Sequence, residues 1–258
     1  SVVAWGCSDS YQVFPDSKLG KAGGKPTNAK GIGDARVKLA EAGPMIPPVP
    51  AIMLTVNGLE PGKDEISVVW TFVINGKPPQ IGISVENVHV ALPMIRKHKE
   101  FVLNVPTVDI MESFDRVDMN STKIDDKFRL SGLTRESANR VDAPAIKESP
   151  IHVECKVFNT IEVPPIRTIF LAEVVATSVL EGVCDRDGKL LVERVPFFGM
   201  TAGSGEFYTM GEKVGHIGKS EFIFAACVGA GCAIHHIPLV PAHDICRKHA
   251  GFADVFQR

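Results

Sequence analysis

Long apolar runs are scarce in this chain. The least polar stretch near its end covers only residues 222–234, well short of the roughly 20 residues that a membrane-spanning helix requires. No membrane partner is expected. A surplus of one charge is missing as well: 28 Lys and Arg stand against 30 Asp and Glu, with no dense basic face. Nucleic acid is therefore not expected as the main partner. Six Cys in 258 residues are too few to staple the fold, and Cys155 sits in an apolar alternating run. Reduced thiols in a cytoplasmic protein are the expectation. No segment resembles a secretory signal, and a chain starting at Ser1 is expected to have lost residues ahead of it. The sequon Asn120-Ser121-Thr122 carries little weight, because such triplets arise by chance.

The common chemical signatures are absent too. Gly23-Gly24-Lys25 is followed by Pro26, which fails a phosphate loop, and Gly31-x-Gly33 lacks the third glycine of a dinucleotide fingerprint. Ala202-Gly203-Ser204-Gly205 has the wrong spacing for a nucleophile elbow, and neither His-Glu-x-x-His nor Cys-x-x-Cys occurs. No side chain is assigned as catalytic. Without an acid, base or nucleophile motif, chemistry requires a cofactor to carry it.

What the chain does have is strands. Residues 49–56 form an apolar β run closed by Asn57-Gly58, and 66–74 a β-branched and aromatic run ended by Asn75-Gly76. Further strands are expected at 80–85, at 101–105 (ended by Pro106), and at 151–163 and 167–180, which Pro164-Pro165 separates. Helices are expected at 91–98 and 107–116. Regular βα alternation is missing, so a mainly β fold follows, a closed or nearly closed antiparallel barrel with a few inserted helices. Around it the composition divides the chain into an extended arm at 1–45, a barrel domain at 46–215 and a C-terminal extension at 216–258. The arm is rich in Gly and Lys over 18–33, with a short helix at 36–42 stopped by Gly43-Pro44. The extension has an apolar, Gly-interrupted segment at 221–234 and a short helical tail at 242–256.

Several pieces now resemble one family, in its order. They are Pro50-Ala-Ile-Met-Leu-Thr55, Glu65-Ile-Ser67-Val-Val-Trp70, Ile83-Ser84-Val85 and Phe101-Val-Leu-Asn104-Val-Pro106. Asp126-Lys127-Phe128 follows, then Ser131-Gly132-Leu133-Thr134, Val141-Asp-Ala-Pro144, Val153-Glu-Cys155-Lys156, Phe170-Leu-Ala-Glu173-Val174 and Tyr208-Thr-Met-Gly211-Glu212. Together they are similar to the flavin reductase-like, FMN-binding split-barrel proteins, the group of flavoredoxins and of reductase partners of two-component monooxygenases. The resemblance implies an antiparallel split β-barrel and FMN as cofactor. It also implies a homodimer with flavin at or near the subunit interface. Hydride would pass from NAD(P)H to the flavin, and electrons onward to free flavin, oxygen or an electron-acceptor protein.

It implies site residues as well. Ser67, Val68, Val69 and Trp70 match the strand on which the flavin lies. Ser84, Val85, Glu86, Asn87, Val88 and His89 match the turn toward the phosphate, with Lys127 as a cation for it. Asn104 would sit near the ring or the ribityl chain, and Arg167 and Thr168 start the strand facing the flavin from the nicotinamide side. Two positions depart from the family pattern. His89-Val90-Ala91 replaces an Arg-x-Thr, removing a charge and a hydroxyl worth ~1–3 kcal/mol of phosphate binding; His89 either compensates when protonated or is a plain loop residue. Arg167 replaces a His, and suits either a carboxylate or pyrophosphate or a surface ion pair.

Cys227, Cys232, Cys246, His235, His236, His243 and His249 gather in the extension. Thiolate and imidazole suit Zn or Cu, but no standard spacing is met, so a hydrophobic extension with incidental Cys and His is preferred and no metal is expected. Three functions stay open: an FMN-dependent oxidoreductase, a flavoredoxin-like carrier or flavoprotein without NAD(P)H activity, and a non-enzymatic interaction protein on the same barrel.

Overall fold

A computed structural model describes residues 43–44, 46, 48–121, 126–202 and 204–213, and the backbone of 223–228 and 231–236. The expected helices at 36–42 and 242–256, the Gly- and Lys-rich segment 18–33, and His243, Cys246 and His249 lie outside the described residues. No helix among the described residues is long and apolar enough to cross a membrane.

The first expected strand is two strands. β1 (Val49–Pro50) joins a small separate sheet, so it parts at Ala51 from β2 (Met53–Val56), which enters the main one. The second expected strand divides too, at Val69, into β3 (Glu65–Val68) and β4 (Trp70–Gly76). β5 (Pro79–Glu86), α1 (Ala91–His98) and β6 (Glu100–Val105) follow as expected within a residue or so. The helix expected at 107–116 is instead a 3-10 turn, Val108–Ile110, and then α2 (Met111–Met119), because Ile110 at φ −112° and ψ 18° interrupts the helical path. After it come α3 (Lys127–Ser131), the short hairpin of β7 (Arg135–Glu136) and β8 (Ala145–Ile146), and the two long strands β9 (Ile151–Val163) and β10 (Arg167–Val179). β11 (Phe198–Met200) and β12 (Phe207–Thr209) complete the small sheet with β1.

The main sheet is antiparallel, in the order β3-β2-β6-β9-β10-β5-β4. Its edges, β3 and β4, are separated in sequence by Val69 alone, so the sheet must curl until the edges meet. This makes the fold a split barrel. The Val69 N–H reaches the Ile52 carbonyl at 3.4 Å, and that contact marks the seam.

Strand alternation sends every second side chain inward. Ile52, Leu54, Val56, Ile83, Val85, Phe101, Leu103, Cys155, Phe170 and Ala172 fill the barrel, and α1 adds Leu92, Met94 and Ile95 from its apolar face. Full burial of a side chain such as Ile95 contributes about 1.5–3 kcal/mol. α1 ends at Lys99, whose φ of 57° turns the chain directly into β6. On the opposite face Met53 and Ile66 pack under α2 and α3 with Phe114, Val117 and Phe128. Phe114, Phe198 and Phe207 meet there edge to face at 5.4–5.7 Å between centroids. On β5 the exposed Phe72 ring lies across Gly82, where a Cβ would stand 2.3 Å from it, so a side chain at Gly82 would displace the ring.

The extension is a unit of its own from Glu212 onward. Its apolar segment forms an antiparallel hairpin of β13 (Ile223–Val228) and β14 (Gly231–His236), with Cys227 opposite Cys232 in register.

One buried carboxylate anchors the long loop between β7 and β8. Glu154 on β9 is fully buried and accepts from the Asn139 N–H at 3.0 and 3.1 Å, the Asn139 side-chain amide at 3.1 Å and the Arg140 N–H. Burial raises the pKa of this carboxyl, but those donors outweigh it and hold the group below the usual carboxylate range. Its contribution is therefore full above the unfolded carboxylate pKa and is lost as pH falls through the lower folded value. Glu154→Gln is expected to cost about 1–3 kcal/mol in urea unfolding at pH 7, with the gap to wild type narrowing on acidification. An equal gap at pH 7 and pH 3 would contradict this.

Candidate functional site

On β3, Glu65 and Ser67 alternate onto the face of Leu54 and Val56, their register partners being Val56 and Leu54 on β2. Both are buried. A carboxylate there needs a cation, and Lys127, the first residue of α3, supplies it: Nζ lies 3.1 Å from Glu65 Oε1. The Ser67 hydroxyl donates to the same oxygen at 3.0 Å. Glu65 is 1% exposed and Lys127 5%. The second carboxylate oxygen, Oε2, is buried with no hydrogen-bond partner among the described residues.

Local sequence fixes the lysine. Asp126 caps α3 by accepting the Phe128 N–H at 2.9 Å, the Ser131 hydroxyl donates to the Lys127 carbonyl, and Gly132 ends the helix at φ 74°. Arg135 braces the turn from outside, 3.9 Å above the Phe128 ring and paired with Asp126 and Asp64.

A second group forms where β4, β5 and β10 run side by side. Register sets Trp70 and Ile169 opposite Ser84, and Arg167 opposite Glu86. The Arg167 guanidinium lies 4.2 Å above the Trp70 ring and 2.7 Å from Glu86 Oε1. The Arg167–Glu86 pair is half-buried, with the two side chains 20% and 17% exposed. Thr168 faces the other way and donates to Asn87 Oδ1 at 2.8 Å or to Glu162 at 3.0 Å.

His89 feels both groups. Burial pushes its pKa down to about 4, the Lys127 charge adds to the effect, Glu86 opposes it and Arg167 adds a little more. The ring is thus neutral at neutral pH. Asp118 on α2 belongs to the same neighbourhood: burial raises its pKa, Lys127 lowers it, and Asp115 and Glu86 raise it. The loop before α1 is largely self-bonded. The Asn87 N–H goes to the Ile166 carbonyl at 2.8 Å, that of His89 to Glu86 at 3.0 Å and that of Leu92 to His89 at 3.1 Å, while Pro93 has none to give.

Ser67 and Lys127 thus meet at Glu65, Trp70, Ser84 and Glu86 meet at Arg167, Asn87 bonds Thr168 on the other face, and the Lys127, Glu86 and Arg167 charges act on His89. Val69 and Val85 are barrel core, Val68 packs on the second core, and Val88 is 77% exposed. Asn104 is not with them. It projects from the other face of β6, donating to the Met53 carbonyl and Thr55 Oγ1 and accepting the Ile146 N–H at 2.8 Å, so it fastens β8 to the sheet. Glu65 and Asp118 join the cluster without having been singled out from sequence. For Glu65 the signal was there, a carboxylate alternating with Ser67 in a strand destined for burial.

A curled antiparallel sheet whose edges meet is the architecture of the split-barrel FMN-binding domains. The model described as "Flavin reductase like domain" matches residues 47–194, and the chain belongs to that family. A relative in Pyrococcus abyssi, an uncharacterized protein, is 26% identical over 128 residues, 50% of this chain and 73% of its own. Among solved structures, the flavoredoxin of Desulfovibrio vulgaris superimposes with a TM-score of 0.67 at 24% identity, over 72% of this chain and 99% of the other. An FMN-binding domain of a flavin reductase-like enzyme from Shewanella baltica gives 0.55 at 20% identity, over 65% and 88%.

The polar groups gathered here, Ser67, the Arg167–Glu86 pair and the face of Trp70, are of a kind that fits a flavin, a flat ring with hydrogen-bonding edges. The electrostatics predict that His89 titrates near pH 4, not near its ordinary 6.5. A histidine so lowered contributes full stability above the unfolded value and loses it as pH falls from 6.5 toward 4. An NMR titration of the imidazole checks this, and a midpoint near 6.5 would contradict the burial of His89 against Lys127.

Proposed function

We propose that the protein is a flavin-dependent oxidoreductase that holds FMN along the barrel seam. The polar seam at β3–β4, inside the region that matches the family, carries the reading. Bound flavin supplies the redox chemistry, taking hydride from a reduced nicotinamide and passing electrons to free flavin, oxygen or a protein acceptor. The chain's own part is to bind and orient. Ser67 to Trp70 offer a strand edge and an apolar support for the ring, and Ser84 to His89 border the far end of the ligand. Neutral His89 and the paired Arg167 set the local charge. Proximity of donor and ring is the main catalytic device available to such a site.

A homodimer belongs to this reading. Phe72 and Ile74 on edge strand β4, and Phe158, Ile161 and Ile166 around the β9–β10 tip, are large apolar side chains left exposed. Such a surface supports pairing with a second copy.

One observation favours a second reading, a flavoredoxin-like electron carrier. Arg167 stands where the family often has a His, and its guanidinium is already occupied by Trp70 and Glu86, which disfavours the usual approach of a nicotinamide.

An anaerobic visible spectrum of the protein with FMN, before and after NADH or NADPH, tests both. The reductase reading expects a shifted flavin band that bleaches quickly. A shifted band that yields only to dithionite selects the carrier. No shift would overturn the flavin assignment.

A further inference from the structure

The seam is not the only place where the fold brings reactive residues together. In the C-terminal unit β13 and β14 pair antiparallel, and the register sets Cys227 directly opposite Cys232. The next pair toward the turn, Val228 and Gly231, is the last of the ladder, and only Gly229-Ala230 lies between those two in sequence. That dipeptide has the Gly-first composition that two-residue hairpin connections favour. Across so short a connection the closing pair can only be of the kind that exchanges both ladder hydrogen bonds. Antiparallel pairs alternate between that kind and the non-hydrogen-bonded kind, so Cys227 and Cys232 form a non-hydrogen-bonded pair.

Non-hydrogen-bonded pairs are the closer ones, with Cα atoms about 4.5 Å apart. A disulfide joins Cα atoms roughly 4.4–6.8 Å apart, so the backbone register puts these two positions at bridging distance without rearrangement. Strand alternation also places both on one face of the hairpin, with Ala225 and Ile234 as the next positions along it. Among the described cysteines, neither of the other two shares this arrangement. Cys155 stands opposite Phe101 and Val174 in the barrel core, where burial pushes its thiol up, and Cys184 stands opposite Leu190. A thiol of that buried kind is chemically inert.

We propose that Cys227 and Cys232 are a reversible thiol–disulfide pair, oxidised by low-molecular-weight disulfides. The proposal goes beyond the flavin reading and does not need it. One cysteine thiolate attacks the small disulfide, forming a mixed disulfide and expelling one small thiol. The opposite thiolate then attacks the protein sulfur of that mixed disulfide, so that the bond between Cys227 and Cys232 forms and the second small thiol leaves. The two cysteines give up two electrons, the small disulfide takes them, and both thiol protons end on the released thiols. Because the second step joins opposed positions of one hairpin, it outruns reversal by thiol from solution.

The test uses the full chain, reduced, freed of reductant and exposed to oxidised glutathione without oxygen, then alkylated and mapped by mass spectrometry. The expected product is a Cys227–Cys232 disulfide that retains no glutathione and is reversed by dithiothreitol. Cys246→Ser is expected to leave that product unchanged, and Cys227→Ser to stop at one glutathione on Cys232. Closure in the native chain is expected to be about tenfold faster than in urea, where the register is lost. Stable glutathione on both cysteines, a bridge from either one to Cys246, or closure equally fast in urea would overturn the proposal. So would native thiols that stay reduced under conditions that oxidise the unfolded chain.

Discussion

A carboxylate folded into an apolar strand must bring its own cation, and the seam of this barrel is organised around that requirement. Glu65 sits on edge strand β3, facing inward, and Lys127 reaches it from the first turn of α3. Taking two charges out of water costs several kcal/mol each, and the pair holds only with good geometry and further hydrogen bonds. The rest of the local structure supplies them. Ser67 shares the loaded oxygen, Asp126 and Gly132 fix the short helix at both ends, and Phe128 anchors it in the second core under Met53 and Ile66. The pair thereby ties the helical layer to the strand that closes the barrel.

That constraint also determines what the seam can do. A charge already neutralised inside the protein does not attract a ligand from outside, yet it sets the state of its neighbours. The Lys127 charge helps keep His89 neutral and acts against the upward shift of Asp118. Across β5 the Arg167–Glu86 pair repeats the arrangement on the outer face, with Trp70 as a third partner. The outcome is a seam in which Lys127 and Arg167 are each matched by a carboxylate.

Much of the fold was legible in the sequence, and for identifiable reasons. The long strands β9 and β10 announce themselves through extended β patterns broken by Pro164-Pro165, and α1 through an apolar stripe bounded by β-forming segments. The break at Val69 was hidden, because both halves of 65–76 have the same β-favouring composition; only the closure of the barrel separates them. The 3-10 turn before α2 was equally invisible, since local propensity does not report a backbone reorientation of one residue. In the candidate site the segments that the resemblance singled out, β3, the start of β4, the end of β5 and the start of β10, lie side by side in the sheet or at its seam. The resemblance did not foresee that Asn104 turns to the opposite face, where Met53, Thr55 and Ile146 use its amide. Nor does spacing reveal the partnership of Glu65 with Lys127, which lie 62 residues apart (127 − 65) and meet through tertiary structure alone.

The most direct measurement of this account is a double-mutant cycle on the buried pair, Glu65→Leu, Lys127→Met and both together, read by urea unfolding. Each single change strands a buried charge and is expected to cost about 3–5 kcal/mol, whereas the double change removes both charges and costs far less than the sum. Single costs that simply add in the double variant would show that Glu65 and Lys127 are not coupled, and the charge-balanced seam would have to be abandoned.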